Sequence, residues 1–245
     1  MPSPPPAARL YGVNSVPGSN GLSKGLTNGP RNRLGNGLYG LKPWYAKRLG
    51  LIRRWLVAAN VSPNVVTATG IVFGCGAGAA LALLRQGVLA GLVVAALLAA
   101  RLACANLDGG LARDSGRATP FGAVLNELGD RLAELAALAG CLAIAPAWLA
   151  CATGLAATLP SWVALAGASA GLGRVQGGPV GKTERCLLLA LLAGTGLVTV
   201  FLAIIAIGSA ATAVVRLARL ARLARRAQAD RAAPSRDERA AAVAP

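Results

Sequence analysis

Apolar stretches near 20 residues recur along this chain of 245 residues, and they constrain its fold more than any other feature. About 20 consecutive apolar residues is what a helix needs to cross a bilayer core roughly 30 Å thick. Charged residues make up 14% of the chain, against roughly 25% in an average soluble domain. A soluble helical bundle would need polar faces at helical spacing, and residues 186–215 show none. The pattern predicts an all-α, polytopic integral membrane protein.

The spans follow from the breakers between the runs. Ser62-Pro63-Asn64 opens a first helix, about 64–84, with Pro in its first turn. A second runs about 88–107 and ends at Asp108-Gly109-Gly110, followed by a loop over 110–119. Thr119-Pro120 starts a third, apolar to about 146 beyond Glu134, and a fourth covers about 148–171 around Pro160. Residues 172–185 read as a polar loop. One helix over 186–215 would be ~45 Å long, so two short spans turning near Gly194–Gly196 are expected. Six transmembrane helices result.

The net charge of +16 supports this topology. The basic residues cluster beside apolar spans, which points to anionic lipid and not to nucleic acid. Six spans put 1–62, 108–119, 172–185 and the tail after 216 in the cytosol, leaving Arg85 on the other side. The domains expected are a disordered cytosolic tail, 1–41, a membrane domain, 42–215, and a basic helix extension and tail, 216–245. Residues 1–41 contain no apolar core segment of the kind a signal peptide has. Residues 42–59 predict an amphipathic helix in the membrane interface. Trp44, Tyr45 and Trp55 suit the headgroup boundary, and Lys47, Arg48, Arg53 and Arg54 suit an anionic leaflet. The five cysteines lie in or beside apolar runs without a Cys-x-x-Cys pair, and there is no His, which argues against zinc or thiol–imidazole chemistry.

The first 107 residues contain no carboxylate, and then five of the nine, Asp108, Asp114, Glu127, Asp130 and Glu134, follow together. Ionisable groups near a bilayer are costly and usually functional. Asn126 and Asp130 are four apart and share a helical face, which Glu134 continues. Asp108 at one helix end and these residues at another would offer oxygen ligands to one or two Mg²⁺ ions, which take one or two carboxylates plus phosphate oxygens and water. Gly109, Gly110, Gly116 and Gly122 would let a pyrophosphate approach the backbone, and Arg113 and Arg117 would hold its oxygens. A transporter or channel would string its charges across the bilayer, whereas these gather at one face.

The run Asp108-Gly109-Gly110-Leu111-Ala112-Arg113, then Gly122, Asn126 and Asp130, resembles the signature of the CDP-alcohol phosphatidyltransferase family, D-x-x-D-G-x-x-A-R-x8-G-x3-D-x3-D, with matching spacing throughout. Ser62 to Gly70 is similar to the segment that opens the family's first membrane helix, and the resemblance spans about 42–215. Two positions depart from the signature. Its first Asp is Ala105 and its third is Asn126, which removes two formal negative charges. Asn106, Glu127 or Glu134 are candidates to compensate. Asn126-Glu127-Leu128-Gly129-Asp130 also resembles an Asn-Glu-x-x-Asp variant within the family.

The resemblance implies transfer of a phosphatidyl group from CDP-diacylglycerol, or a similar CDP-alcohol, to an acceptor hydroxyl, with release of CMP. It implies Asp108, Asn126 and Asp130 as metal ligands for Mg²⁺ or Mn²⁺, and Asp130 as general base. Asn64, Thr67, Gly109, Arg113, Thr119 and Gly122 match positions that bind the CDP-lipid. Charge and side of the membrane suggest Arg131, Arg174, Lys182 and Arg185 for a phosphorylated acceptor, although Arg174 and Lys182 read more readily as plain positive-inside residues. Arg101, on the same face as Asp108, reads as its counter-charge or as a snorkelling side chain, and Thr119 serves equally well as a helix cap. A cell-membrane location, a cytosolic active site and homodimers through membrane helices are further implications. The alternative function is a catalytically degenerate relative that binds nucleotide or lipid in a regulatory or scaffold role, which Ala105 and Asn126 favour.

Overall fold

The structure, a computed structural model, describes residues 42–232. The expected disordered tail, 1–41, lies outside the described residues, as do 233–245 and the side chains of Trp44, Tyr45, Lys47 and Arg48. The described residues form α1 (Lys42–Ala58), α2 (Pro63–Leu83), α3 (Val88–Asp114), α4 (Pro120–Ala139), a 3-10 turn (Gly140–Ala143), α5 (Ala147–Ser169), α6 (Lys182–Thr195) and α7 (Val198–Ala232). They contain no strand, as the sequence predicts. Four helices, α2, α3, α5 and α7, are long and apolar enough to cross a membrane.

Local chemistry sets several helix ends. Pro63 sits at the start of α2, where its missing N–H costs nothing. Thr119 caps α4, its Oγ1 accepting a 2.9 Å bond from Gly122 N. Gly196, at φ 75°, ends α6 in the left-handed region, and α7 starts two residues later.

Three boundaries differ from expectation. The Asp108-Gly109-Gly110 run does not close the second helix, because α3 continues to Asp114. Gly110 is buried there, and a Cβ on it would lie 2.9 Å from Arg53 Nη1, so the glycine makes room for α1 instead of ending the helix. Arg53 Nε then reaches Asp114 at 2.6 Å. The polar loop after α5 stops at Gly181, and Lys182 and Arg185 belong to the first turn of α6. Glu184 holds that turn by accepting from Gly181 N at 3.1 Å. Helix α4 ends at Ala139, short of 146, and passes into the 3-10 turn.

Packing between apolar helices depends on close approach, since lipid competes with side chains for apolar contact. Gly74 and Gly78 on α2 supply it. A Cβ on Gly74 would lie 2.4 Å from Ala133 O, and one on Gly78 2.2 Å from Ala136 O. α2 packs on both α3 and α4, α3 on α6, and α5 on α7. The buried core includes Leu81, Val94, Leu98, Leu138, Leu192, Leu202 and Ile205. Large apolar side chains such as Val72, Leu89, Leu92, Trp148, Leu155 and Ile207 point outward, the exterior a lipid solvent favours. α1 packs Leu49, Leu56 and Val57 with Cys104, Leu107 and Leu111 of α3, and exposes Leu51 and Trp55.

Candidate active site

Asp108 joins three helices. It lies on α3 and is 3% exposed. Its Oδ2 accepts from Thr67 Oγ1 of α2 at 3.0 Å, and its Oδ1 accepts from Gly109 N at 2.6 Å and from Asn126 Nδ2 of α4 at 3.2 Å. A buried carboxylate needs such donors, because leaving one without partners is costly. Thr67 comes this close because residue 129 is glycine, where a Cβ would meet Thr67 Cγ2 at 2.6 Å.

Asp130 lies one turn further along α4. Lys182 Nζ donates to its Oδ2 at 2.5 Å. Arg101, 2% exposed, donates from Nη2 to the Asp130 backbone carbonyl at 2.7 Å and lies 3.8 Å from Oδ1. The counter-charge of Arg101 is therefore Asp130, not Asp108. The guanidinium is long enough to pass its own helix and reach α4.

Further charge flanks Asp130 on α4. Glu134, 6% exposed, accepts from Arg185 Nε at 2.6 Å and from Arg131 Nη1 at 2.6 Å. Glu127 accepts from Arg174 Nη2 at 2.5 Å and lies 3.6 Å from Arg131 Nε. Both glutamates are thus engaged by guanidinium groups. The helical spacing of Glu127, Arg131 and Glu134 makes their pairing readable in sequence. Their partners at 174 and 185 come from a distant segment, and nothing local announces them. Asn106 donates to Leu102 O of its own helix.

The remaining sequence-predicted residues surround this core. Asn64 is exposed in the first turn of α2, and Arg113 is exposed in the last turn of α3. Thr119 and Gly122 bond to each other in the α4 cap. Arg117, expected to hold phosphate oxygens, donates to Asn60 O at 3.3 Å and to Asn60 Oδ1, tying the 115–119 loop to the turn before α2.

A cavity of about 740 Å³ opens beside Asp130, within the usual range for a ligand site. Asn126, Glu127, Asp130, Arg131, Arg174 and Lys182 line its polar side, and Ala95, Leu98, Leu102, Leu187 and Ala190 its apolar side. Arg216 also borders it, donating to Gly177 O at 2.9 Å and Pro160 O at 2.7 Å. Arg185 is not among the lining residues.

The donor chemistry fits one divalent cation. Asp108 and Asp130 would supply carboxylates and Asn126 an amide oxygen, and substrate phosphate oxygens would complete the set. Two cations fit poorly, since Ala105 offers no ligand and Glu127 and Glu134 are held by arginines. Among the described residues no group of three His, Cys, Asp or Glu side chains stands ready to hold a metal.

No family model matches the chain. The inner membrane protein YnbA of Escherichia coli strain K12 is 30% identical over 156 residues, which cover 63% of this chain and 77% of YnbA. Among solved structures, phosphatidylinositol phosphate synthase of Mycobacterium tuberculosis with CDP-DAG bound is similar at a TM-score of 0.54 and 25% identity, over 69% of this chain and 91% of that one. The same synthase in complex with manganese and citrate gives 0.53 and 26%, over 69% and 87%. Apolar helices and an inner-membrane relative make this a multi-pass membrane protein. With the Asp108–Asp130 motif at the junction of α2, α3 and α4, in a fold shared with a CDP-alcohol phosphatidyltransferase, the chain belongs to the CDP-alcohol phosphatidyltransferase family.

Proposed function

We propose that this protein transfers a phosphatidyl group from CDP-diacylglycerol, or a similar CDP-alcohol, to an acceptor alcohol in phospholipid synthesis. The observation that carries the reading is the convergence of Thr67, Asp108 and Asn126 next to Asp130, with Asn126 and Asp130 on the wall of a cavity that has one polar and one apolar side. The polar side suits a pyrophosphate and a small alcohol. The apolar side suits a lipid.

Asp108, Asn126 and Asp130 would hold one divalent cation, with Mg²⁺ proposed and Mn²⁺ as the alternative. When bound, it neutralises phosphate charge and orients the reacting groups. The chain's own residues do the rest. Asp130 takes the proton of the acceptor hydroxyl, whose oxygen forms the new bond to the lipid-side phosphorus as the bond to CMP breaks. Lys182 and Arg101 keep that carboxylate oriented. Asn64, Thr67, Gly109, Arg113, Thr119 and Gly122 surround the CDP-lipid, with Arg113 available for a phosphate oxygen.

The proposed topology has six spans, α2 to α7. α4 bears four charges on its inward face, and α6 is ~21 Å long. Thr67, Asp108, Asp130 and Lys182 meet only if successive helices run in opposite directions. The Lys and Arg distribution puts this end in the cytosol. α1 lies in the interface on membrane lipid, and two copies associate through membrane helices.

A second reading, a relative that binds nucleotide or lipid without turnover, is favoured by Ala105 and by the amide at position 126. CMP release from CDP-diacylglycerol, measured against a panel of acceptor alcohols with and without Mg²⁺, separates the two. Turnover with some acceptor is expected. It should be lost in Asp108→Asn and Asp130→Asn although both variants still insert. CDP-diacylglycerol binding with no CMP release from any acceptor would decide for the second reading.

A further inference from the structure

Glu127 has no part in the reaction proposed above, yet it borders the cavity. It lies three residues before Asp130 on α4, about 4.5 Å along the helix axis and on the same face. A small acceptor whose hydroxyl reaches Asp130 therefore extends its other end toward Glu127. Two guanidinium groups meet there, Arg174 from the loop before α6 and Arg131 from α4. Two arginines converging on a cavity normally make an anion subsite. Here the anion is supplied by the protein. Glu127 Oε2 lies 2.5 Å from Arg174 Nη2, and Oε1 lies 3.6 Å from Arg131 Nε. The next cation, Lys182, is held by Asp130 at 2.5 Å, and Arg131 is further held by Glu134 at 2.6 Å.

We infer that Glu127 is a specificity-determining residue for the acceptor. It fills the place that the phosphate of a phosphorylated acceptor would take, so the pocket selects an uncharged polyol. This rests on the phosphatidyltransferase reading and names the acceptor class for that same site. An incoming phosphate must either displace Glu127 from Arg174 or sit beside a like charge in a partly desolvated pocket, and both are unfavourable. A neutral hydroxyl meets neither obstacle and can bond to the carboxylate and guanidinium groups already present. This reverses the sequence expectation that Arg131, Arg174, Lys182 and Arg185 form a pocket for a phosphorylated acceptor.

The test uses the full-length protein in detergent micelles, with two readouts. The first is binding of inorganic phosphate, which needs no turnover and is measured by calorimetry. Wild type should bind phosphate at least tenfold more weakly than Glu127→Gln. The gain should disappear in Glu127→Gln combined with Arg174→Gln, because the freed guanidinium is what captures the anion. The second readout is competition between glycerol and glycerol phosphate as acceptors in wild type, which requires no variant to fold. Glycerol should be preferred. Equal phosphate affinity in wild type and Glu127→Gln, or a wild-type preference for glycerol phosphate, would overturn the inference. Absence of CMP release with every acceptor would defeat the transferase reading while leaving the phosphate measurement able to decide the role of Glu127.

Discussion

Arg101 and Asp130 are joined through the backbone as well as by charge. The guanidinium of Arg101, buried within α3, donates to the Asp130 carbonyl at 2.7 Å and stands 3.8 Å from its carboxylate. Its other terminal nitrogen lies 3.9 Å from Cys186 Sγ of α6, so one side chain ties three helices at the level of the proposed base. An arginine this deep in a membrane helix is tolerated only with such partners.

Replacing it should therefore show in both stability and catalysis. Arg101→Met removes a charge-assisted hydrogen bond to a backbone acceptor, a loss of about 1.5–3 kcal/mol. Thermal unfolding in detergent should shift downward. Turnover should fall at least tenfold with little change in KM for CDP-diacylglycerol, because Asp130 loses its orientation and not its chemistry. Normal turnover in a protein with lowered stability would restrict Arg101 to a structural role.

The two missing motif carboxylates make a quantitative prediction. Ala105→Asp with Asn126→Asp adds two charges near Asp108, where Coulomb effects exceed those in water several-fold. Half-saturating Mg²⁺ for CMP release, or for CDP-diacylglycerol binding, should drop. Glu127 and Glu134 are bound to arginines and are poorly placed to supply the charge already. An unchanged or higher value would show that the native ligand set is complete without the two carboxylates.

The contact between α2 and α4 carries Thr67 toward Asp108 and Asn126. Gly74→Val would put side-chain atoms into the Ala133 backbone, a contact of 2.4 Å for the Cβ alone. Overpacking of this kind costs about 1–3 kcal/mol. Activity should drop with stability, since α2 must shift and the Thr67 bond to Asp108 lengthens. Gly76→Ala serves as the control. A Cβ there finds only Leu97 side-chain atoms, at 3.6 and 3.8 Å, and wild-type behaviour is expected.

Topology can be tested by labelling introduced cysteines in intact cells. Residues replaced near Gly116 and Gln176 should be protected from an impermeant thiol reagent, and a cysteine at Gln86 should react. Cys75 and Cys151 are exposed on the protein surface and need replacement first. Labelling near Gly116 from outside would invert the proposed orientation.

Much of the helical framework was written in local chemistry. Pro63, the Thr119-Pro120 pair and Gly196 set helix boundaries through caps and backbone angles that neighbouring residues alone determine. The shared face of Asn126 and Asp130 was legible for the same reason, since residues four apart on a helix lie together. Helix α3 runs through Asp108-Gly109-Gly110, where the glycines suggest a break, because Arg53 of α1 packs on Gly110. The choice of partners lay beyond the sequence altogether. Whether Arg101 served Asp108 or Asp130, and whether Glu127 faced a metal or Arg174, depended on how closely α2, α3, α4 and α6 approached one another. That approach is a property of packed surfaces: glycines on one helix admit the backbone of the next, and long charged side chains then pair with whatever lies within reach.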